Sequence, residues 1–153
     1  MPYSRLFYHF VWATQDRDPF IQGALEKRLH GAIRAKADDL GALVHAVGGT
    51  EDHVHLVVSV PPAVSLAQFV GQVKGNSAHC ANHELALPYH FAWQAEYGVV
   101  SFGGKQLDRV VRYVLNQRTH HREGTNIPFL ERDSSERQAT RLPAVKENEG
   151  EPH

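Results

Sequence analysis

Aromatic and β-branched residues crowd the stretch from Leu6 to Ala13, where Phe7, Tyr8, Phe10, Val11 and Trp12 predict a strand. Asp16 to Pro19 reads as a turn. From Phe20 to Leu40 the period changes. Ile21, Leu25, Leu29, Ile33 and Ala37 recur at steps of four, the spacing of one helix face, and Gly41 follows as a C-cap. Ala42 to Gly48 predicts a second strand and Gly49 to Asp52 a turn. His53 to Val60 then alternates: Val54, Leu56, Val58 and Val60 fall on one face, and His53, His55, Val57 and Ser59 on the other. Pro61-Pro62 stops that strand. Ser65 with Gln68 is a capping box, opening a helix that runs to about Asn82. Phe91 to Phe102 predicts a fourth strand, broken near Gly98. After Gly103-Gly104, Lys105 to His121 predicts an amphipathic helix with Leu107, Val110, Val111, Val114 and Leu115 on its apolar side. The stretch 131–153 has no apolar period and reads as a disordered polar tail.

Two strands joined by a short turn form an antiparallel pair, so the element order predicts an α+β fold rather than a doubly wound one. The expected architecture is a small antiparallel sheet with helices packed on one face, in a single domain over residues 1–130. A chain of 153 residues, 42% apolar, is enough for one core. Without a run of some eighteen apolar residues no membrane-spanning helix is expected. Met1 to Arg5 lacks the pattern of a secretion signal. Cys80 is the only cysteine, so no internal disulfide can form, and a reducing, cytoplasmic location is expected.

Charge changes the picture little. A net charge of −1 does not point to nucleic acid, although a local basic stripe can hide in a neutral total. Lys74, Arg109, Arg112, Arg118 and Arg122 are candidate phosphate contacts, and each taken singly also reads as part of a solvated helix face. The stretch Gly98 to Lys105 looks like a P-loop but has Gly104 where lysine is needed and Gln106 in place of Ser/Thr, which argues against an ATP-driven reaction. No Gly-x-Ser-x-Gly elbow occurs.

Three groups carry possible chemistry. His53 and His55, two apart on a strand, project side by side and can chelate one divalent ion. Eleven histidines in the chain also make such a pair an ordinary accident. Tyr113 and Gln117 are neighbours on the last helix, at the edge of its apolar arc. That is usually the place of a boundary packing tyrosine; the alternative is a nucleophile with an amide oxygen beside it as a third metal ligand. His79, Cys80 and His83 form a competing metal group, but Cys80 points about 100° away from His79 on a helix.

With these residues in view, the chain resembles the single-tyrosine HUH transposases of the insertion-sequence 200/605 class. Glu51-Asp52-His53-Val54-His55-Leu56 looks like the family's His-hydrophobic-His strand and Val73-Lys74-Gly75 like its central helix motif. Phe91-Ala92-Trp93-Gln94-Ala95-Glu96-Tyr97-Gly98 is similar to its aromatic strand. Tyr113-Val114-Leu115-Asn116-Gln117 with His120-His121 is similar to its catalytic helix. Glu96 stands where glycine is expected, and Val100 to Gly103 fits the end of the aromatic strand loosely. The resemblance implies a ferredoxin-like, HUH-type sheet with Tyr113 as nucleophile and Mg2+ or Mn2+ on His53, His55 and Gln117. It implies metal-dependent cleavage and transfer of single-stranded DNA with hairpin ends, through a 5′-phosphotyrosine. Lys74 and Arg112 are expected as DNA contacts. It further implies a homodimer in which the tyrosine helix of one subunit completes the histidine site of the other. Two related readings share these residues: a domesticated relative acting on chromosomal repeat hairpins, and a hairpin-binding module that does not cleave.

Overall fold

The computed structural model describes residues 5–117. Its first strand, β1 (Phe7–Ala13), leads through a short 3-10 turn into α1 (Gly23–Asp39). Strands β2 (Leu43–Gly49) and β3 (His53–Ser59) follow, then α2 (Leu66–Glu84), β4 (Gly98–Phe102) and α3 (Leu107–Leu115). The tail 131–153 and the pair His120-His121 lie outside the described residues, as do Arg118 and Arg122. Among the described residues no helix is long and apolar enough to cross a membrane.

The expected punctuation is present. The Ser65 hydroxyl accepts from the Gln68 N–H and caps α2. Gly41 closes α1 in the left-handed region, at φ 85°, where its N–H reaches Asp38 and that of Ala42 reaches Ala37.

All strands pair antiparallel in the order β2-β3-β1-β4. Alternation on β3 divides the sheet as the sequence predicts. Val54, Leu56 and Val58 join Phe10 and Trp12 of β1 in the main core, under Leu25, Leu29 and Ile33 of α1 and Phe69, Val70 and Val73 of α2. The opposite face carries Ala46 and Val57, and onto it pack Val110, Tyr113 and Val114 of α3. Helices α1 and α2 thus share one face as expected, while α3 takes the other. An amphipathic helix of nine residues needs an apolar surface of its own, and the core face is already filled.

Two segments depart from the sequence pattern. The stretch Phe91 to Tyr97 is not a strand; its backbone pairs with the sheet at the isolated bridge Thr14–Trp93, and β4 begins at Gly98. Asn82 holds it instead, its side chain donating to the Phe91 carbonyl at 2.8 Å and accepting from the Phe91 N–H at 2.7 Å. Helix α3 spans Leu107–Leu115, and Leu115, expected on its apolar side, faces outward with 60% of its surface exposed.

Candidate active site

Helix α3 lies across β2 and β3 because Gly48 lets it approach. Gly48 pairs with His55 across the two strands, and a Cβ there would run into the backbone carbonyl of Val114. With no side chain in the way, the helix seats Tyr113 edge-on to the His55 ring, centroids 6.0 Å apart. One turn on, the Gln117 Oε1 stands 3.3 Å from the His53 Nε2. Tyr113, Gln117, His53 and His55 are all buried. The four residues that the sequence singled out therefore meet within one chain.

Each histidine is anchored through its Nδ1. That of His53 lies 2.8 Å from the Asp52 Oδ1 and 2.9 Å from the Thr50 hydroxyl. Asp52 is held below the usual carboxylate range chiefly by the hydrogen bond from His53, aided by the nearby charges of His53 and Arg17, against the opposing effect of burial. The Nδ1 of His55 lies 2.7 Å from the Nε2 of His9 on β1. None of Thr50, Asp52 or His9 stood out as a functional residue in the sequence. His9 is one histidine among eleven, and the pairing of β1 with β3 is what brings it to His55.

This donor arrangement suits a divalent cation. Metal-bound imidazoles use one nitrogen for the ion and commit the other to a hydrogen bond, often with a carboxylate. Both Nδ1 atoms are so committed, so a metal bound here would be held through the Nε2 atoms. The Gln117 NH2 faces the Tyr113 carbonyl at 3.4 Å, which turns its Oε1 toward His53. With the His53 proton on Nδ1, the 3.3 Å contact sets two lone-pair atoms face to face, an arrangement a cation stabilises. Among the described residues no three His, Cys, Asp or Glu side chains converge on a metal position, and beside His53 the further donor is the Gln117 amide oxygen.

Other expected residues are placed differently. Lys74 is buried, and its ammonium donates to the carbonyls of Gln94, Ala95 and Glu96 at 2.7, 3.3 and 3.0 Å. Burial pulls its amine below the usual lysine range, with Glu96 pulling the other way. An ammonium has three hydrogens, and these carbonyls take them, so the structure gives Lys74 a backbone-holding role rather than a phosphate contact. Arg112 is exposed on α3, next to Tyr113 in sequence. Trp93, from the aromatic stretch, packs edge-on against Trp12 and Phe91 and donates to the Ser77 hydroxyl. His79 and His83 lie with tilted rings, centroids 4.1 Å apart, and burial first, then Glu84, pushes the Cys80 thiol upward.

The family model "Transposase IS200 like" matches residues 2–117. Over 74 residues the chain is 32% identical to the ISDra2 transposase TnpA of Deinococcus radiodurans, covering 48% of this chain and 53% of that protein. It thus spans about half the length of that relative. Over 129 residues it is 22% identical to the transposase for insertion sequence element IS200 of Salmonella typhimurium, covering 80% and 84% of the two chains. The fold is similar to a crystal structure assigned to a transposase from Deinococcus radiodurans, with TM-score 0.62, 21% identity, and coverage of 84% of this chain and 97% of that one. It is also similar to the structure of a REP-associated tyrosine transposase bound to a REP hairpin, with TM-score 0.58, 16% identity, and coverage of 82% and 76%. The likeness to these two structures concerns the fold, whereas the family match runs from β1 to Gln117, and on that match the chain belongs to the IS200-like transposase family.

Proposed function

We propose that this chain is a metal-dependent nuclease and strand transferase for single-stranded DNA, working through a tyrosine–DNA ester. One observation carries the reading: Tyr113 packs against His55 while the Gln117 oxygen meets His53, so a nucleophile and a metal-ligand set share one place.

The chemistry follows from the residues. The Tyr113 hydroxyl attacks a backbone phosphorus in line. The phenolic O–P bond forms and the P–O3′ bond breaks; the phenol loses its proton and the departing O3′ gains one. The products are a 5′-phosphotyrosine and a free 3′-hydroxyl. One phosphate ester replaces another, so no ATP is required, and attack by a different 3′-hydroxyl completes transfer. Phenols are weak nucleophiles at neutral pH. His53, His55 and Gln117 would hold a divalent ion, Mg2+ or Mn2+, which when bound would supply positive charge for the phosphate oxygens. Asp52 and His9 hold the two rings in place, and α3 holds Tyr113 over them. The substrate is proposed to be single-stranded DNA with hairpin ends, as the family implies. Either mobile-element or chromosomal hairpins fit this chemistry.

Incubating the chain with short hairpin-flanked single strands and Mn2+ should yield a protein–DNA adduct that survives a denaturing gel. Excess EDTA should abolish it. Hairpin binding without any adduct would instead identify the non-cleaving module.

Two variants test the support around the site. Gly48→Ala places a methyl group against the Val114 carbonyl and displaces α3. A shift near 1 Å at a reacting group costs about a hundredfold, so cleavage should fall by about ten- to a hundredfold with the fold kept. Unchanged cleavage would mean that α3 does not work from the seat on Gly48. Arg112→Ala should weaken DNA binding by less than about tenfold and reduce its salt dependence by about one counterion, while the adduct still forms. An unaltered salt slope would remove Arg112 from the phosphate contacts.

A further inference from the structure

His9 has no part in the resemblance, yet it stands in the middle of the site's support. It lies on β1, 1% exposed, opposite Val57 on one side and Val100 on the other. On this face of the sheet the neighbouring cluster contains Val57, Val100 and Phe102, and a leucine or valine would bury there more cheaply than an imidazole. Val11 pairs with His55, so His9, two residues away on the same face, is its diagonal neighbour. The two rings approach with centroids 4.8 Å apart, and the His9 Nε2 comes to 2.7 Å from the His55 Nδ1.

A hydrogen bond between two neutral imidazoles has only two arrangements. In one, His9 donates from Nε2 to a bare His55 Nδ1. His55 then carries its hydrogen on Nε2 and cannot offer that atom to a metal. In the other, His55 donates from Nδ1 and His9 accepts, which leaves the lone pair of His55 on Nε2. The second is the only one compatible with His55 as a ligand through Nε2, because Nδ1 is occupied by His9. It also matches His53, whose Nδ1 faces Asp52. The two histidines would then be set by different partners, a carboxylate for one and a third histidine for the other.

We propose that His9 is a positioning residue that holds His55, through its Nδ1–H, in the tautomer and orientation needed to bind a divalent cation at Nε2. The proposal rests on the reading of His53 and His55 as metal ligands, and its test separates the two.

Two measurements on the full chain decide it. Long-range 15N–1H correlation spectra of the unsubstituted protein, at mildly alkaline pH where imidazoles are neutral, report which nitrogen bears hydrogen. Expected are a protonated Nδ1 and bare Nε2 on His55, with a bare Nε2 on His9. The opposite pattern, with hydrogen on Nε2 of both rings, would overturn the proposal without any substitution that could unfold the chain. The second measurement is Mn2+ affinity by titration calorimetry. His9→Leu should weaken it by about ten- to a hundredfold, the usual effect of losing a ligand's outer partner. His9→Gln, whose Oε1 can accept the same Nδ1–H, should stay within about threefold of the unsubstituted protein, since it keeps that bond. His55→Ala should abolish binding. If His9→Leu binds Mn2+ normally while His55→Ala does not, His9 has no positioning role and the metal site stands. If His55→Ala also binds normally, the metal-site reading itself fails. His9→Gln as weak as His9→Leu would likewise count against an acceptor role.

Discussion

Replacing Tyr113 with phenylalanine is expected to lower single-strand cleavage at least about a thousandfold and to remove the covalent adduct, because no other group can take over a lost nucleophile. The substitution removes one oxygen and leaves the ring in place against His55, Val110 and Val114, so stability should change by no more than about 1 kcal/mol. DNA affinity should be nearly unchanged, since the hydroxyl is used in bond making rather than in holding the strand. Nicking or an adduct retained by the Tyr113→Phe protein would move the nucleophile elsewhere. The same variant addresses the sharing of sites between subunits, which the family implies for a dimer. In the single chain, Tyr113 contacts His55 and Gln117 contacts His53. Mixing Tyr113→Phe with His53→Ala protein distinguishes the two. A shared site gives heterodimers one intact centre and recovers cleavage; a site within one chain leaves every centre defective.

Lys74→Met is expected to cost about 3 kcal/mol of stability, since hydrogen bonds made by a charged group contribute about 1.5–3 kcal/mol each and burial of the ammonium offsets part of the gain. Methionine keeps the length of the chain and its packing but has no donor. The carbonyls of Gln94, Ala95 and Glu96 then lose the group that gathers them, and the segment between α2 and β4 is freed at that point. A loss of this size should lower the melting temperature by about 6–12 °C in a domain near this length. The direction separates two roles. If Lys74 instead served phosphates, the variant would melt normally and bind DNA more weakly. Normal stability in Lys74→Met would therefore refute the backbone-holding role and return Lys74 to the DNA contacts.

Much of the scaffold was legible along the chain. The step of four from Ile21 to Ala37 marks the buried stripe of the α1 region, and Leu25, Leu29 and Ile33 do face the core. Alternation from Val54 to Val60 fixes which side of β3 is buried under α1 and α2, because period two allows only one assignment of the faces. Gly41 and Ser65 mark helix ends through local backbone chemistry that needs no distant partner. Tyr113 with Gln117, and His53 with His55, were readable as pairs for the same reason, since spacing within one element determines which side chains are neighbours.

What the chain could not specify alone depends on contacts between elements far apart in sequence. Phe91 to Tyr97 has strand-like composition, yet its carbonyls are taken by Lys74 and Asn82, so tertiary hydrogen bonds override local propensity. Lys74 reads as a surface cation on an amphipathic helix, and only its meeting with the segment that follows α2 turns it inward. The placing of α3 on the second face of the sheet required Gly48, whose missing side chain matters only because Val114 lies against it. His9 is 46 residues from His55, and no periodicity relates them; the antiparallel register of β1 with β3 sets them side by side. Sequence spacing thus fixed the pairs of reactive side chains, because neighbours within a helix or strand follow from backbone geometry. Bringing those pairs onto one face, and supplying the partner that orients each imidazole, depended on strand register and helix docking, which are properties of the assembled sheet.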